Sequence, residues 1–186
     1  MAGSALHEIR TALAGTLVLA RGDARGLAYF DASPGGFWWS FRAGAMCFPL
    51  YLALTLSRVG TEVTARVLAV ETIGYVISWT AFPLIVLGLV RRFDRDDRFL
   101  GFMTAYNWCQ VPQIVLFTVL AAVQAAGLLG ENLAAAAGFA AAAAVLVYEW
   151  FIARVALDVS VPAAVLVVVV DLLLATTVRG IDQSLY

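Results

Sequence analysis

The sequence contains no lysine and one histidine, His7; each of its 12 Lys+Arg positions is arginine. A single imidazole excludes paired-histidine metal motifs. Cysteine is scarce too: Cys47 and Cys109 sit inside apolar stretches, without metal-type spacing, and are expected as small buried side chains. Only 13% of residues are charged, against about 25% in a soluble domain. The formal net charge of −1 gives no bias toward nucleic acid. The chain has no Gly-rich phosphate loop with lysine, no dinucleotide fingerprint, no His-Glu-x-x-His and no nucleophile elbow. The expectation is a protein that is not an enzyme, with no catalytic residue, cofactor or metal to nominate.

Apolar side chains are what the chain has in abundance. They make up 62% of 186 residues, with a mean hydropathy of +0.88. In water such a composition would expose large apolar patches, so the class is integral membrane. Apolar stretches at about 37–56, 66–90, 102–127, 133–157 and 160–178 are each read as spans. The expected fold is all-α: a polytopic membrane protein, a five-transmembrane-helix bundle over 37–178. Residues 1–36 form an N-terminal interfacial region and 179–186 a short external tail. Asp158–Ser160 is so short a turn that the last two spans must be antiparallel neighbours.

Residues Ser4–Ala20 read as an amphipathic helix, with Ser4 as its cap. Leu6, Ile9, Leu13, Leu17 and Ala20 share one face, and Leu19 falls off that stripe. The helix is expected to lie in the membrane interface or to dock on the bundle. Its apolar run is too short and mixed for a cleaved signal peptide. Arg21-Gly22-Asp23 reads as a charged turn. Ser33-Pro34 is a helix-start signal, cap then first helical residue. Trp38 and Trp39, between Phe37 and Phe41, are interfacial anchors at headgroup depth, and Arg42 can snorkel to join them. Pro49 is expected to kink its span.

Arginine bias sets the orientation. One side collects Arg10, Arg21, Arg25, Arg42, Arg91, Arg92, Arg95, Arg98 and Arg154; the other holds Arg58, Arg66 and Arg179. The N-terminus is therefore expected in the cytoplasm and the C-terminus outside. The Ala-, Gly-, Val- and Arg-rich composition suits a GC-rich genome, and the expected location is a bacterial inner membrane.

Six polar residues inside the spans are candidates for function. Asp171 sits about 16 Å along the last span and Glu149 about 12 Å from the end of the one before, at 1.5 Å per residue. An acid at such a depth costs roughly 3 kcal/mol on insertion scales and is expected to face other helices or a wet cavity. Ala164, Val168 and Ala175 share the face of Asp171. The two acids could share a proton or cation, or Glu149 could pair with Arg154 or Arg91. Glu71 shares a face with Gly74, Tyr75, Ser78 and Phe82, near the outer end, where water is expected to reach it. In span three Gln110, Gln113, Phe117 and Gln124 align, with Asn107 at the edge. Such amides bridge helices, at about 0.6 kcal/mol each, or line a hydrophilic path. The alanine-rich stretch Ala134–Ala144 suits close contact with another protein surface.

The order of parts resembles the Yip-type (Rab-interacting) membrane family and its bacterial relatives, which have a cytoplasmic N-terminal region and then five closely spaced helices. Asp31-Ala32-Ser33-Pro34-Gly35-Gly36-Phe37-Trp38 holds the Asp, Pro and Phe-Trp of that family's D-L-Y-G-P-F-W-like stretch in the same order. The spacing differs and the Tyr-Gly is missing. The resemblance implies a role in membrane organisation, trafficking or assembly, and transfers no site residue. The first functional expectation is thus a non-enzymatic accessory, scaffold or assembly component. It would work through helix–helix contacts, with the lipid bilayer and other membrane subunits or itself as partners and no nucleic acid. The alternative is a small proton- or cation-coupled transporter or channel using Asp171 and Glu149.

Overall fold

Apolar runs of this length can satisfy their backbone in lipid only as helices or closed barrels. Among the described residues the chain uses helices alone. The computed structural model describes residues 2–59 and 63–185, with side chains described outside 2–5 and 58–59. The helices are α1 (Ala2–Ala20), α2 (Pro34–Val59), α3 (Ala65–Arg92), α4 (Phe99–Ala125), α5 (Glu131–Ala156) and α6 (Val161–Ser184). Short 3-10 segments, Ala24–Tyr29 and Asp96–Arg98, precede α2 and α4.

Four helices are long and apolar enough to cross a membrane: α3, α4 with its leading turn, α5 and α6. The 26-residue α2, expected as the first span, is not among them. Arg42 and the small or polar Gly35, Gly36, Ser40 and Gly44 dilute its apolar content. Pro49 lies inside it. The expected tail is corrected: α6 runs on through Arg179 to Ser184, so only the last residues lie beyond it. The loop expected at 58–65 falls partly on 60–62, outside the described residues, as does Tyr186. α2 begins as expected. Pro34 is its first residue, and Ser33 Oγ accepts the Gly36 N–H at 3.1 Å.

α4 is the central helix. Its residues Phe102 to Cys109 are all buried. α2 packs along it, α1 and α5 lie against it, and α6 is wedged between α3 and α5. At one end of the bundle Arg95 Nε donates to the Asp158 carbonyl at 3.1 Å, and Phe37 packs on Phe99 at 5.8 Å. That end therefore gathers the start of α2, the α3–α4 loop and the α5–α6 turn. Asp94 and Asp158 each adopt positive φ (54° and 51°) in those turns, where aspartate tolerates the left-handed region better than most residues. α3 and α6 run antiparallel, with Gly74 against Asp182 near one end and Phe82 near Asp171 further along.

α1 docks on the bundle through only part of the expected stripe: Ile9 and Leu13 are half-buried and pack against the cluster of Ala12, Ala43 and Trp108. Leu6 and Leu17 are exposed, and Ala12, Gly15, Thr16 and Leu19 are the buried positions. Leu19, expected to point away, is only 1% exposed and joins the main core with Leu27 and Phe30. Tyr148 of α5 donates its hydroxyl to the Thr16 carbonyl at 2.9 Å. The 3-10 segment folds back so closely on α1 that a Cβ at Gly26 would lie 2.8 Å from the Gly15 carbonyl. The side chain of Ser4 is outside the described residues, and α1 already begins at Ala2, so no cap is needed there. Small side chains on the docked face permit the close approach of α1 to the bundle.

Leu19→Ala is expected to cost about 2–5 kcal/mol, through lost contacts and a cavity. Leu17→Ala should stay within about 0.5 kcal/mol. Denaturant unfolding of the purified protein in detergent checks this; the reverse ranking would put Leu17 on the packed face.

Candidate functional site

The short α5–α6 turn makes those helices neighbours, and α4 lies against α5. Glu149 of α5 is 7% exposed, and Asp171 of α6 is close enough to act on it electrostatically. From α4, Gln110 and Gln113 turn their amides to Glu149, and Tyr106 turns its phenol to Asp171. The site is thus two carboxyl groups from adjacent helices with three polar side chains of one central helix around them. Among the described ion pairs, Arg91 goes to Asp96 at 3.6 Å and none reaches Glu149 or Asp171. The arginine partner considered for Glu149 is therefore replaced by amides and a second acid.

Gln113 is almost wholly buried, and its Nε2 has no hydrogen-bond partner among the described residues. It faces Glu149 without completing a bond. A buried donor left unmet costs about 1–3 kcal/mol. Two hollows lie near the site, one lined by Asp171 and the other by Gln113. A cleft of about 170 Å³ between α3, α4 and α6 is lined by Ser78, Tyr106, Asn107, Gln110, Asp171 and Ala175. A groove of about 200 Å³ between α1, α4 and α5 is lined by Ala20, Pro112, Gln113, Ala144 and Tyr148.

Asn107 has a structural duty beside its place on the cleft. Its Nδ2 donates to Ser40 Oγ at 2.8 Å, and Ser40 in turn donates to the Phe37 carbonyl at 2.7 Å, which joins α4 to α2. The expected amide stripe divides: Gln113 is buried, Gln110 half-buried, and Gln124 exposed near the far end of α4. Trp38 and Trp39 are exposed, and the Arg42 guanidinium lies over the Trp39 ring, a cation–π contact.

Glu71 stands apart from this cluster. It was expected to meet water; instead it is 5% exposed and accepts the Tyr51 hydroxyl at 2.6 Å. Asp182, near the end of α6, is 6% exposed and lies within electrostatic reach of Glu71. Its carboxylate fills the space over Gly74, where any Cβ would overlap it. So α3, α2 and α6 form a second acid pair, which sequence reasoning missed because Asp182 looked like part of a polar tail. Its signal was the spacing. Asp171 and Asp182 are eleven residues apart, just over three helical turns, and so share a face about 16 Å apart along the axis.

Cys47 and Cys109 are both free and buried, as expected. Among the described residues no group of three or more His, Cys, Asp or Glu side chains could hold a metal. No family model, curated protein or solved structure matches the chain.

Gly74→Ala is expected to destabilise the protein by about 1–3 kcal/mol, because the methyl displaces Asp182. Gly88→Ala on the same helix meets open space and should be neutral or gain about 0.5–1 kcal/mol. Thermal unfolding of the two variants in detergent tests the contact; equal behaviour would remove Asp182 from the face of Gly74.

Proposed function

We propose that the chain is a small, non-enzymatic integral membrane protein that carries a proton or a monovalent cation at the Glu149–Asp171 pair, as a transporter or channel. One observation carries this reading: two carboxyl groups on adjacent helices lie within electrostatic reach of each other, among amides and a phenol, with no basic partner in the described ion pairs. Two negative charges facing each other in a low dielectric repel strongly, and a proton or monovalent cation between them removes that repulsion. A purely structural role would need only one donor and one acceptor. In this reading α2 serves as a fifth span, with Trp38, Trp39 and Arg42 at the cytoplasmic headgroups. The N-terminus is then cytoplasmic, the C-terminus external and the membrane a bacterial inner membrane.

A second reading keeps the chain as an accessory or assembly component. It is favoured by α5, whose alanine-rich half leaves Leu133, Phe139 and Val147 exposed and only Ala141 buried. The resemblance to the Yip-type family belongs with this reading.

The test is flux into vesicles that contain the purified protein, read with a pH-sensitive dye and with cation-sensitive dyes. Wild-type protein is expected to raise the flux of one ion at least tenfold over empty vesicles. Glu149→Gln and Asp171→Asn should abolish that gain at unchanged protein content and melting temperature. Wild-type vesicles as tight as empty ones, with the native protein held in a stoichiometric larger complex, would sink the first reading and sustain the second.

A further inference from the structure

Resting on that reading, the geometry points to a proton path, in which Glu149 and Asp171 pass a proton between the Gln113 groove and the Asp171 cleft, and the α3–α6 seam carries it on to Asp182 and Glu71. Three observations converge on it.

The first concerns the ligand. Gln113 is buried, its Nε2 is unmet, and it faces Glu149. An N–H donor is satisfied by an acceptor such as a water oxygen, never by a metal cation. Hard divalent cations also gather six or more oxygens, and no group of three or more candidate ligands exists among the described residues. A water in the groove that Gln113 lines satisfies the amide and is itself a proton carrier.

The second concerns access. Asp171 itself lines the cleft, and the groove is lined by Gln113, the side chain that turns to Glu149. Ala20 ends α1 on the groove, and the next residues are Arg21, Gly22 and Asp23, a charged turn. On the other side the cleft is bordered by Ser78 of α3 and Ala175 of α6.

The third concerns continuation. One helical turn from Ser78 lies Gly74, and Asp182 fills the space beside it, next to Glu71 and Tyr51. Asp171 and Asp182 share a face of α6, and α3 presents Glu71, Gly74 and Ser78 to it. Polar groups thus recur along the seam where two apolar helices meet.

The step itself is balanced. A hydronium ion in the groove protonates the Glu149 carboxylate and is left as water. Glu149 hands that proton to the Asp171 carboxylate, which releases it to water in the cleft. Both acids return to their starting state, and no bond other than O–H is made or broken. The groups facing the pair are Tyr106, Gln110 and Gln113 of α4, with Cys109 of α4 near Glu149.

The experiment uses the full chain in vesicles with a pH dye and compares Gln113→Leu and Asp182→Asn with Glu149→Gln. The path predicts a drop of at least tenfold in proton flux for both, with sodium and potassium fluxes at the empty-vesicle level throughout. Where either variant unfolds, water access decides. In a Cys47→Ala, Cys109→Ala background, Ala175→Cys and Ser78→Cys should react with a small water-soluble thiol reagent, and Val169→Cys, on the exposed apolar face, should not. Loss of flux in Glu149→Gln alone, or cleft cysteines as inert as Val169→Cys, would overturn the path and leave the acid-pair site standing. Flux unaffected by Glu149→Gln would overturn the site itself.

Discussion

A carboxyl group carried into an apolar helix bundle must find its polar company inside the protein, because lipid offers none. Glu149 imposes that condition on everything around it. Its neighbours come from α4 and α6, so those helices have to meet α5 at this depth. α4 can supply Tyr106, Gln110 and Gln113 together only because it is central, enclosed from Phe102 to Cys109. The enclosing helices are fixed in turn by polar contacts of the same kind. Asn107 ties α4 to Ser40 of α2, Tyr148 ties α5 to the Thr16 carbonyl of α1, and Tyr51 ties α2 to Glu71 of α3. Each is worth well under the cost of leaving its groups unmet, so these bonds act mainly by excluding other packings.

The same solvent explains which parts of the molecule could be read from sequence. Long apolar runs gave helices at nearly the expected places, because backbone satisfaction in lipid admits little else. The neighbourhood of Glu149 and Asp171 was legible too, since a turn as short as Asp158–Ser160 leaves α5 and α6 no choice but to be adjacent. The docked face of α1 was not. A stripe such as Leu6, Leu13 and Leu17 marks the buried side of a helix in water. Here only Ile9 and Leu13 of the expected stripe are packed, Leu6 and Leu17 stay exposed, and Ala12, Gly15, Thr16 and Leu19 are the buried positions beside it.

Tyr106 and Asp182 show the other limit. Tyr106 falls among Phe102, Trp108 and other large apolar residues, where a tyrosine reads as belt or filler; only the position of Asp171 gives its hydroxyl a purpose. Asp182 follows Arg179 and Gly180 and precedes Gln183 and Ser184, a composition that reads as a polar end. The helix continues through these residues, and Gly74 on α3 leaves room for the carboxylate. The place for the Asp182 carboxylate is thus made by a glycine on another helix, and single-helix patterns carry no trace of that.

What separates this pair from an ordinary buried ion bridge is where the arginines are. Arg66, Arg91, Arg92, Arg154 and Arg179 all lie within two turns of a helix end. An arginine beside Glu149 would have locked a negative charge in place, with a fixed geometry and a fixed net charge. Amides do neither. Gln110 and Gln113 can donate to a carboxylate or accept from a carboxylic acid, so the polar shell tolerates either state of the site. A shell of that kind leaves the number of bound protons free to change without repacking the helices, and that freedom is what a site that loads and unloads a proton requires.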